Sequence, residues 1–499
     1  MSTEDNNKAK TTQIPEDRIT ETQHILEIDG EQIHYTTRTG TIVLKEESEA
    51  QDKTSEGEKP RASIFFVAYT KERPESVDES AWHSSRPITF SFNGGPGSSS
   101  VWLHLGLLGP RRVRVTDSDD NPLPPPYKLE DNLHSLLDVT DLVFIDPVST
   151  GYSRALEGEK AAQFHDFTKD IEAVGEFIRL YTSRFKRWSS PKFLIGESYG
   201  TTRAAGLSGY LQDRHGMYFN GVMLISTILN FQTARFVPGN DLPHILFLPT
   251  YTATAWYHHK LAEDLQKDLH ATLAEVEAFA TSDYALAMMQ GDALPVDERQ
   301  RIATALVRYT GLSREYIEQT NLRINIYRFV KELLRDHRRT VGRLDTRFTG
   351  VDRDAVGERY EFDPSYAIIQ GPYTATLNDY VRNELGFESD LPYEILTDRV
   401  HPWRFEEHQN QYVNVAETLR AAMSKNRFLR VFVANGYYDL ATPYLATRYT
   451  FDHMELDETL REHVTMKHYE AGHMMYIHEE SLAALKGDLV EFVTASVTA

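Results

Sequence analysis

The stretch FLIGESYGTT, residues 193–202, decides the fold of this 499-residue chain. Three apolar residues run straight into Gly196-Glu197-Ser198-Tyr199-Gly200, and Thr201-Thr202-Arg203-Ala204-Ala205 then reads as a helix start. A buried strand that ends in Gly-x-Ser-x-Gly and restarts as a helix holds its serine on a strained turn, with the hydroxyl at the C-terminal edge of a sheet. The flanking glycines are required because the tight turn has no room for larger side chains. A serine so placed lies near a helix N-terminus, where the dipole favours developing negative charge. Gly-x-Ser-x-Gly alone is common by chance, so Ser198 is a nucleophile only if the chain also supplies a base, an orienting acid and an oxyanion site.

Working outward, short apolar runs recur, each ending in small or polar residues: PITFSFNGGPG (87–97), DLVFIDPVSTG (141–151), KFLIGESYG (192–200), GVMLIST (221–227) and LRVFVANGYYD (429–439). Residues 163–187 between two of them suit a helix. Buried strands alternating with helices predict an α/β protein with a mainly parallel sheet covered on both faces. Ligands in such sheets sit beyond the carboxyl ends of the strands.

Before this region, His24 to Lys45 alternates in polarity, with turn signals at Asp29-Gly30 and Thr39-Gly40, and predicts antiparallel strands. The charged interval EESEAQDKTSEGEKP (46–60) is expected to be a solvated loop. From about Phe231 to Asn426 the strand rhythm stops, and segments 256–291 and 313–338 read as helical. The plan is then a disordered tail (1–20), a first part of the core (21–230), a mainly helical cap insertion (231–426) and a second part of the core (427–499) ending in a helix over 479–496.

The other parts of a nucleophilic site can be sought in this frame. NGGPGSSS (93–100) follows the strand ITFSF. It lacks the Gly-Lys-Ser/Thr of a phosphate loop, while its glycines let backbone N–H groups approach a tetrahedral oxygen closely. The N–H groups of Gly95 and Tyr199 are the expected donors. VFVANGYYDLATP places Asp439 just past a strand, and HYEAGHMMYIH places His473 after Gly472, in the order Ser, Asp, His that this fold requires. Each is weak alone, since an Asp after a strand is commonly a cap and a His commonly structural. Together they predict that Ser198 attacks, His473 takes and returns the proton, and Asp439 fixes the imidazole tautomer.

No metal and no cofactor are expected. His463, His468, His473 and His478 recur every five residues, which does not align them on one helical face. His258-His259 has no HExxH context, and DSDDNP lacks the Gly and terminal Glu of a calcium loop. Zero cysteines remove disulfides and thiolate chemistry. The net charge of −21 repels a polyanion and argues against nucleic acid as a partner. There is no run of 18 apolar residues and no apolar segment behind the polar N-terminus. The expectation is therefore a soluble protein outside the membrane, cytoplasmic as written, or exported if a signal peptide has been removed.

The motifs FNGGPGSSS, IDPVSTGYS, GESYG, NGYYDLATP and EAGH occur in that order, with a long insertion before the Asp. In this the chain resembles the serine carboxypeptidases, which are α/β-hydrolases, from about Ile88 to its C-terminus. The resemblance implies a peptide substrate with a free C-terminus and release of its last amino acid. It also implies that Asn93, Gly94 and Glu197 hold the substrate carboxylate. A Glu that donates a hydrogen bond to a carboxylate must be protonated, which burial and a like charge both promote.

Two positions depart from the family pattern. Ser91 stands where members usually carry Trp, and Leu107 where they carry a second Glu, so Glu197 is expected to lose a like-charge contribution. His104, one turn from Leu107 if the stretch is helical, offers a positive partner or, the favoured reading, a packing residue. Alternatives from the same residues are an esterase or acyltransferase, a proline-type aminopeptidase, and an inactive binding protein on a hydrolase scaffold. Oligomeric state is left open.

Overall fold

The computed structural model describes residues 16–49, 54–116 and 121–498. Its frame is a ten-stranded sheet. The nine main strands are β1 (Arg18–Ile28), β2 (Glu31–Glu49), β3 (Ser55–Lys71), β4 (Ile88–Phe92), β5 (Asp141–Ile145), β6 (Lys192–Ser198), β7 (Gly221–Thr227), β8 (Arg430–Gly436) and β9 (Val464–Tyr469). They lie in the order β1-β2-β3-β5-β4-β6-β7-β8-β9, and the two-residue strand Arg154–Ala155 pairs with β3. From β5 to β9 every pairing is parallel, while β1, β2 and β3 join antiparallel.

The parallel strands are apolar throughout because both faces are covered. Successive residues alternate between two cores: Phe193 and Ile195 of β6, Met223 and Ile225 of β7, and Phe432 of β8 enter one cluster. Leu194, Leu224, Val431 and Val433 enter the other. The first face is covered by α6 (Pro364–Asn383) and α8 (Glu479–Thr498), and the second by α1 (Phe167–Arg184), α2 (Tyr199–His215) and α7 (Ala416–Lys425). Asp166 caps α1 by accepting from Thr168 and Lys169 N–H.

The interval 231–426 divides by packing. Helices α3 (Leu248–Tyr257), α4 (Leu269–Phe279) and α5 (Val296–Thr310) build a third core together with residues of the segment after β8. In contrast, residues of α6 and α7 belong to the clusters on the two faces of the sheet. The expected helices 256–291 and 313–338 are broken into shorter pieces, such as Ala285–Gln290, Arg314–Gln319 and Ile326–Glu332.

Three expectations for the N-terminal region are corrected. Most of the proposed tail lies outside the described residues, but Arg18–Thr20 already belong to β1. Asp29-Gly30 is a turn, with φ of 51° and 83°. Thr39-Gly40 is not a turn: Gly40 pairs with Ile19, and a Cβ there would sit 1.9 Å from Arg18 O. The charged interval 46–60 is largely paired strand, with Glu46 opposite Lys59 and Ser48 opposite Gly57, although residues 50–53 lie outside the described ones.

Candidate active site

Ser198 ends β6 and stands at the N-cap of α2, with φ 60° and ψ −128°. A serine at an N-cap ordinarily bonds the first turn, but this one makes no capping hydrogen bond, so its hydroxyl is left for other partners. The glycines permit the turn: a Cβ on Gly196 would sit 2.0 Å from Gly200 O, and one on Gly200 would sit 2.7 Å from Phe92 O. Tyr199 is the first residue of α2, where an N–H has no acceptor within its own helix.

The loop after β4 lies directly against this turn. A Cβ on Gly94 would sit 2.4 Å from Tyr199 N, and Gly95 adopts φ 103°, which a side chain would strain. Two buried anchors hold the loop. Arg203, fully buried on α2, donates to Asn93 O at 2.6 Å and to Asp170 at 2.7 Å. Asp146, from the IDPVSTGYS stretch, accepts the Ser100 N–H at 2.8 Å. Gly151 follows from this, because a Cβ there would sit 1.7 Å from Asp146 Oδ2.

Asp439 follows β8 and His473 follows β9, neighbouring strands of the sheet. His473 Nδ1 lies 2.7 Å from Asp439 Oδ2, and both side chains are buried. Asp439 also accepts from Ala441 N–H, Thr442 N–H and the Thr442 hydroxyl at 2.7, 3.1 and 2.6 Å. Burial opposes its charge, but His473 and these donors prevail and hold the carboxyl below its ordinary range. Burial likewise lowers the basicity of His473, but Asp439 and then Glu197 outweigh it and leave the imidazole above its ordinary value. The structure thus bonds Asp439 directly to His473, and brings Ser198 and His473 together as walls of one cavity of about 350 Å³.

Gly94, Gly95 and Glu197 line the same cavity. Glu197 is buried, with Oε1 accepting from Asn93 Nδ2 at 3.1 Å and Oε2 from the Tyr476 hydroxyl at 2.5 Å. Burial pushes its carboxyl up to about 7, with Asp439 adding repulsion and His473, Tyr476 and Asn93 opposing. The carboxyl thus rises by burial despite Leu107, which lies in the apolar core beside the sheet. Ser91 is also buried, and its hydroxyl has no partner.

His104 is not a positive partner. It stacks on Phe144 at 4.3 Å, meets the Tyr69 hydroxyl at 2.6 Å, and burial lowers its pKa to about 3. Sequence reasoning missed Tyr476 and Arg203. Arg203 had a signal, a lone charge among small residues at a helix start, whereas Tyr476 had only its closeness to His473. Among the described residues no three His, Asp or Glu side chains gather as a metal site, and the acidic run at 117–120 lies outside them.

A mainly parallel sheet with helices on both faces, a serine on a strand-to-helix turn and an Asp–His pair beyond neighbouring strands define an α/β-hydrolase. The serine carboxypeptidase family model matches residues 54–488, and the chain belongs to that family. A curated relative, serine carboxypeptidase-like 33 of Arabidopsis thaliana, is 27% identical over 183 residues, 36% of this chain; the match spans about a third (33%) of that relative. Among solved structures, the prohormone-processing carboxypeptidase Kex1 of Saccharomyces cerevisiae superposes with a TM-score of 0.56 at 16% identity, over 92% of this chain and 91% of that one, a likeness of fold.

Proposed function

We propose that this protein is a serine carboxypeptidase, releasing the C-terminal amino acid from peptides through an acyl-enzyme on Ser198. Ser198 Oγ attacks the carbon of the last peptide bond while His473 Nε2 takes its proton. Asp439 accepts from Nδ1, which fixes the tautomer and stabilises the imidazolium. The Gly95 and Tyr199 N–H groups receive the developing oxyanion. His473 then protonates the leaving amine, and the free amino acid departs. A water, deprotonated by His473, hydrolyses the ester and restores the serine.

The observation that carries the choice of substrate is Glu197. It is a buried carboxyl next in sequence to Ser198, lining the same cavity, with its pKa pushed up to about 7. In its protonated form it donates to a carboxylate instead of repelling it, and Asn93 and Gly94 complete the cradle. A neutral ester or an N-terminal amine has no use for such a group.

The test is product analysis by mass with an N-blocked dipeptide, its C-terminal amide and a simple ester between pH 4 and 8. The expected result is loss of the last residue from the free acid, with the amide far slower. Ser198→Ala and His473→Ala should each lower kcat by about 10³-fold or more. Cleavage of the ester alone would move the protein to the esterases, and N-terminal release from an added unblocked peptide, with the blocked acid left intact, to the aminopeptidases.

A further inference from the structure

Glu197 can serve a substrate carboxylate only if one of its oxygens is turned to the cavity and can carry a proton there. Both properties depend on what holds the other oxygen. The holder is the Tyr476 hydroxyl, 2.5 Å from Oε2, while Asn93 Nδ2 contacts Oε1 at 3.1 Å. Tyr476 is 2% exposed and sits on the single turn Met475–Ile477, three residues after His473. Its ring reaches Glu197 because Gly106 leaves the space open: a Cβ there would lie 2.4 Å from the Tyr476 ring and 2.5 Å from the Tyr373 hydroxyl. The Tyr373 hydroxyl is itself buried without a partner.

We propose that Tyr476 is the positioning residue of the carboxylate cradle, donating to Glu197 Oε2 so that Oε1 is presented to the substrate carboxylate. The inference rests on the carboxypeptidase reading above and assigns a residue to it. The titratable groups that face Glu197 are His473, Asp439, Tyr476 and Tyr373, and Asn93 donates to it. Burial holds both tyrosines far above their ordinary values, so neither ionises in the working range. Recognition of the substrate carboxylate therefore follows the ionisation of Glu197, coupled to that of His473, and not that of either tyrosine.

The test is Tyr476→Phe, which removes one oxygen and leaves the ring, with folding checked by its melting temperature. Steady-state kinetics are compared for the N-blocked dipeptide acid and its methyl ester from pH 5 to 8.5. The expected result is a KM for the acid raised about ten-fold with kcat within two-fold, and ester kinetics unchanged. In the wild type, KM for the acid should rise ten-fold per pH unit above about 7. In the variant that limb should move to higher pH, because the carboxylate has lost a donor. Equal losses on acid and ester, or an unmoved limb, overturn the proposal.

A second measurement covers a variant that folds poorly. Calorimetry of the dipeptide acid binding to the Ser198→Ala protein at pH 8, in buffers of different ionisation enthalpy, should show proton uptake that is lost in the Ser198→Ala, Glu197→Gln double variant. No uptake, or uptake unchanged without Glu197, overturns the protonated cradle. A wild-type protein that cleaves neither acid nor ester sinks the carboxypeptidase reading itself. An acid-selective wild type with an indifferent Tyr476→Phe sinks this inference only.

Discussion

At Glu197 fold and function agree, because burial favours the protonated carboxyl that holding a carboxylate requires. Its folded pKa of about 7 lies above that of an unfolded Glu, so the stability it contributes is complete below the unfolded value and is lost as pH rises through about 7. Ionising it at pH 8 or above costs about 3 kcal/mol. Glu197→Gln removes that cost while keeping an acceptor for Asn93. The melting temperature of E197Q relative to wild type should therefore increase between pH 5 and pH 8.5, and a constant difference would contradict the assigned shift. His473 sets the opposite limit: Asp439 holds its pKa above the ordinary imidazole value, so kcat should fall on the acid side as the base is protonated. The residues of this paragraph differ in how openly the sequence shows them. Ser198, Asp439 and His473 are marked by the glycines and strands that aim them. Tyr476 is not, because its partner lies 279 positions away in the chain and the opening at Gly106 exists only in three dimensions.

At the level of elements, the loops carrying Asp439 and His473 are tied by a strap from the interval read as insertion. Leu344 O accepts the His473 N–H at 2.7 Å, Arg343 O accepts the Leu440 N–H at 3.1 Å, and the Thr346 N–H donates to Tyr438 O at 3.0 Å. The strap is pinned by the buried pair Asp345–Arg347, 2.8 Å apart. Gly472 exists for this contact: a Cβ there would sit 2.4 Å from Asp345 Cβ. Gly472→Ala should push strap and base apart. A shift near 1 Å at a catalytic group costs on the order of 10²-fold in rate. The expected outcome is kcat lowered by about that factor in a folded protein, measured on the best peptide substrate, with wild-type kcat as the contrary result. The sequence could not show the strap, since Gly342 to Phe348 carries no motif and gains its meaning only from the loops it meets. The same limit explains Gly40, whose turn-like signal marks close approach to β1, and the charged arm at 46–60. Its Glu and Lys residues read as a loop until their cross-strand partners are known.

At the scale of the molecule, the mainly parallel sheet was open to reading, because strands covered on both faces are written as short continuous apolar runs such as 193–195, whereas the split of Leu194 from Ile195 between two cores comes from the structure. The division of 231–426 was not open to reading, because a helix that covers a sheet and one that covers other helices carry the same apolar stripe. The third core has a consequence for cooperativity. Alongside α3, α4 and α5 it includes Tyr438, Leu440, Tyr444 and Leu445, residues around Asp439 in the segment after β8. A helical unit that shares its core with the loop of the orienting acid does not melt alone. Leu306 on α5 is fully buried in that core, and Leu306→Ala should cost about 2–5 kcal/mol. Scanning calorimetry should show one transition for both wild type and variant, displaced downward by several degrees in L306A. Peptidase activity should disappear across that same transition. An early, separate transition with activity surviving it would mean that the helical unit is an independent lid, joined to the sheet without holding Asp439 in place.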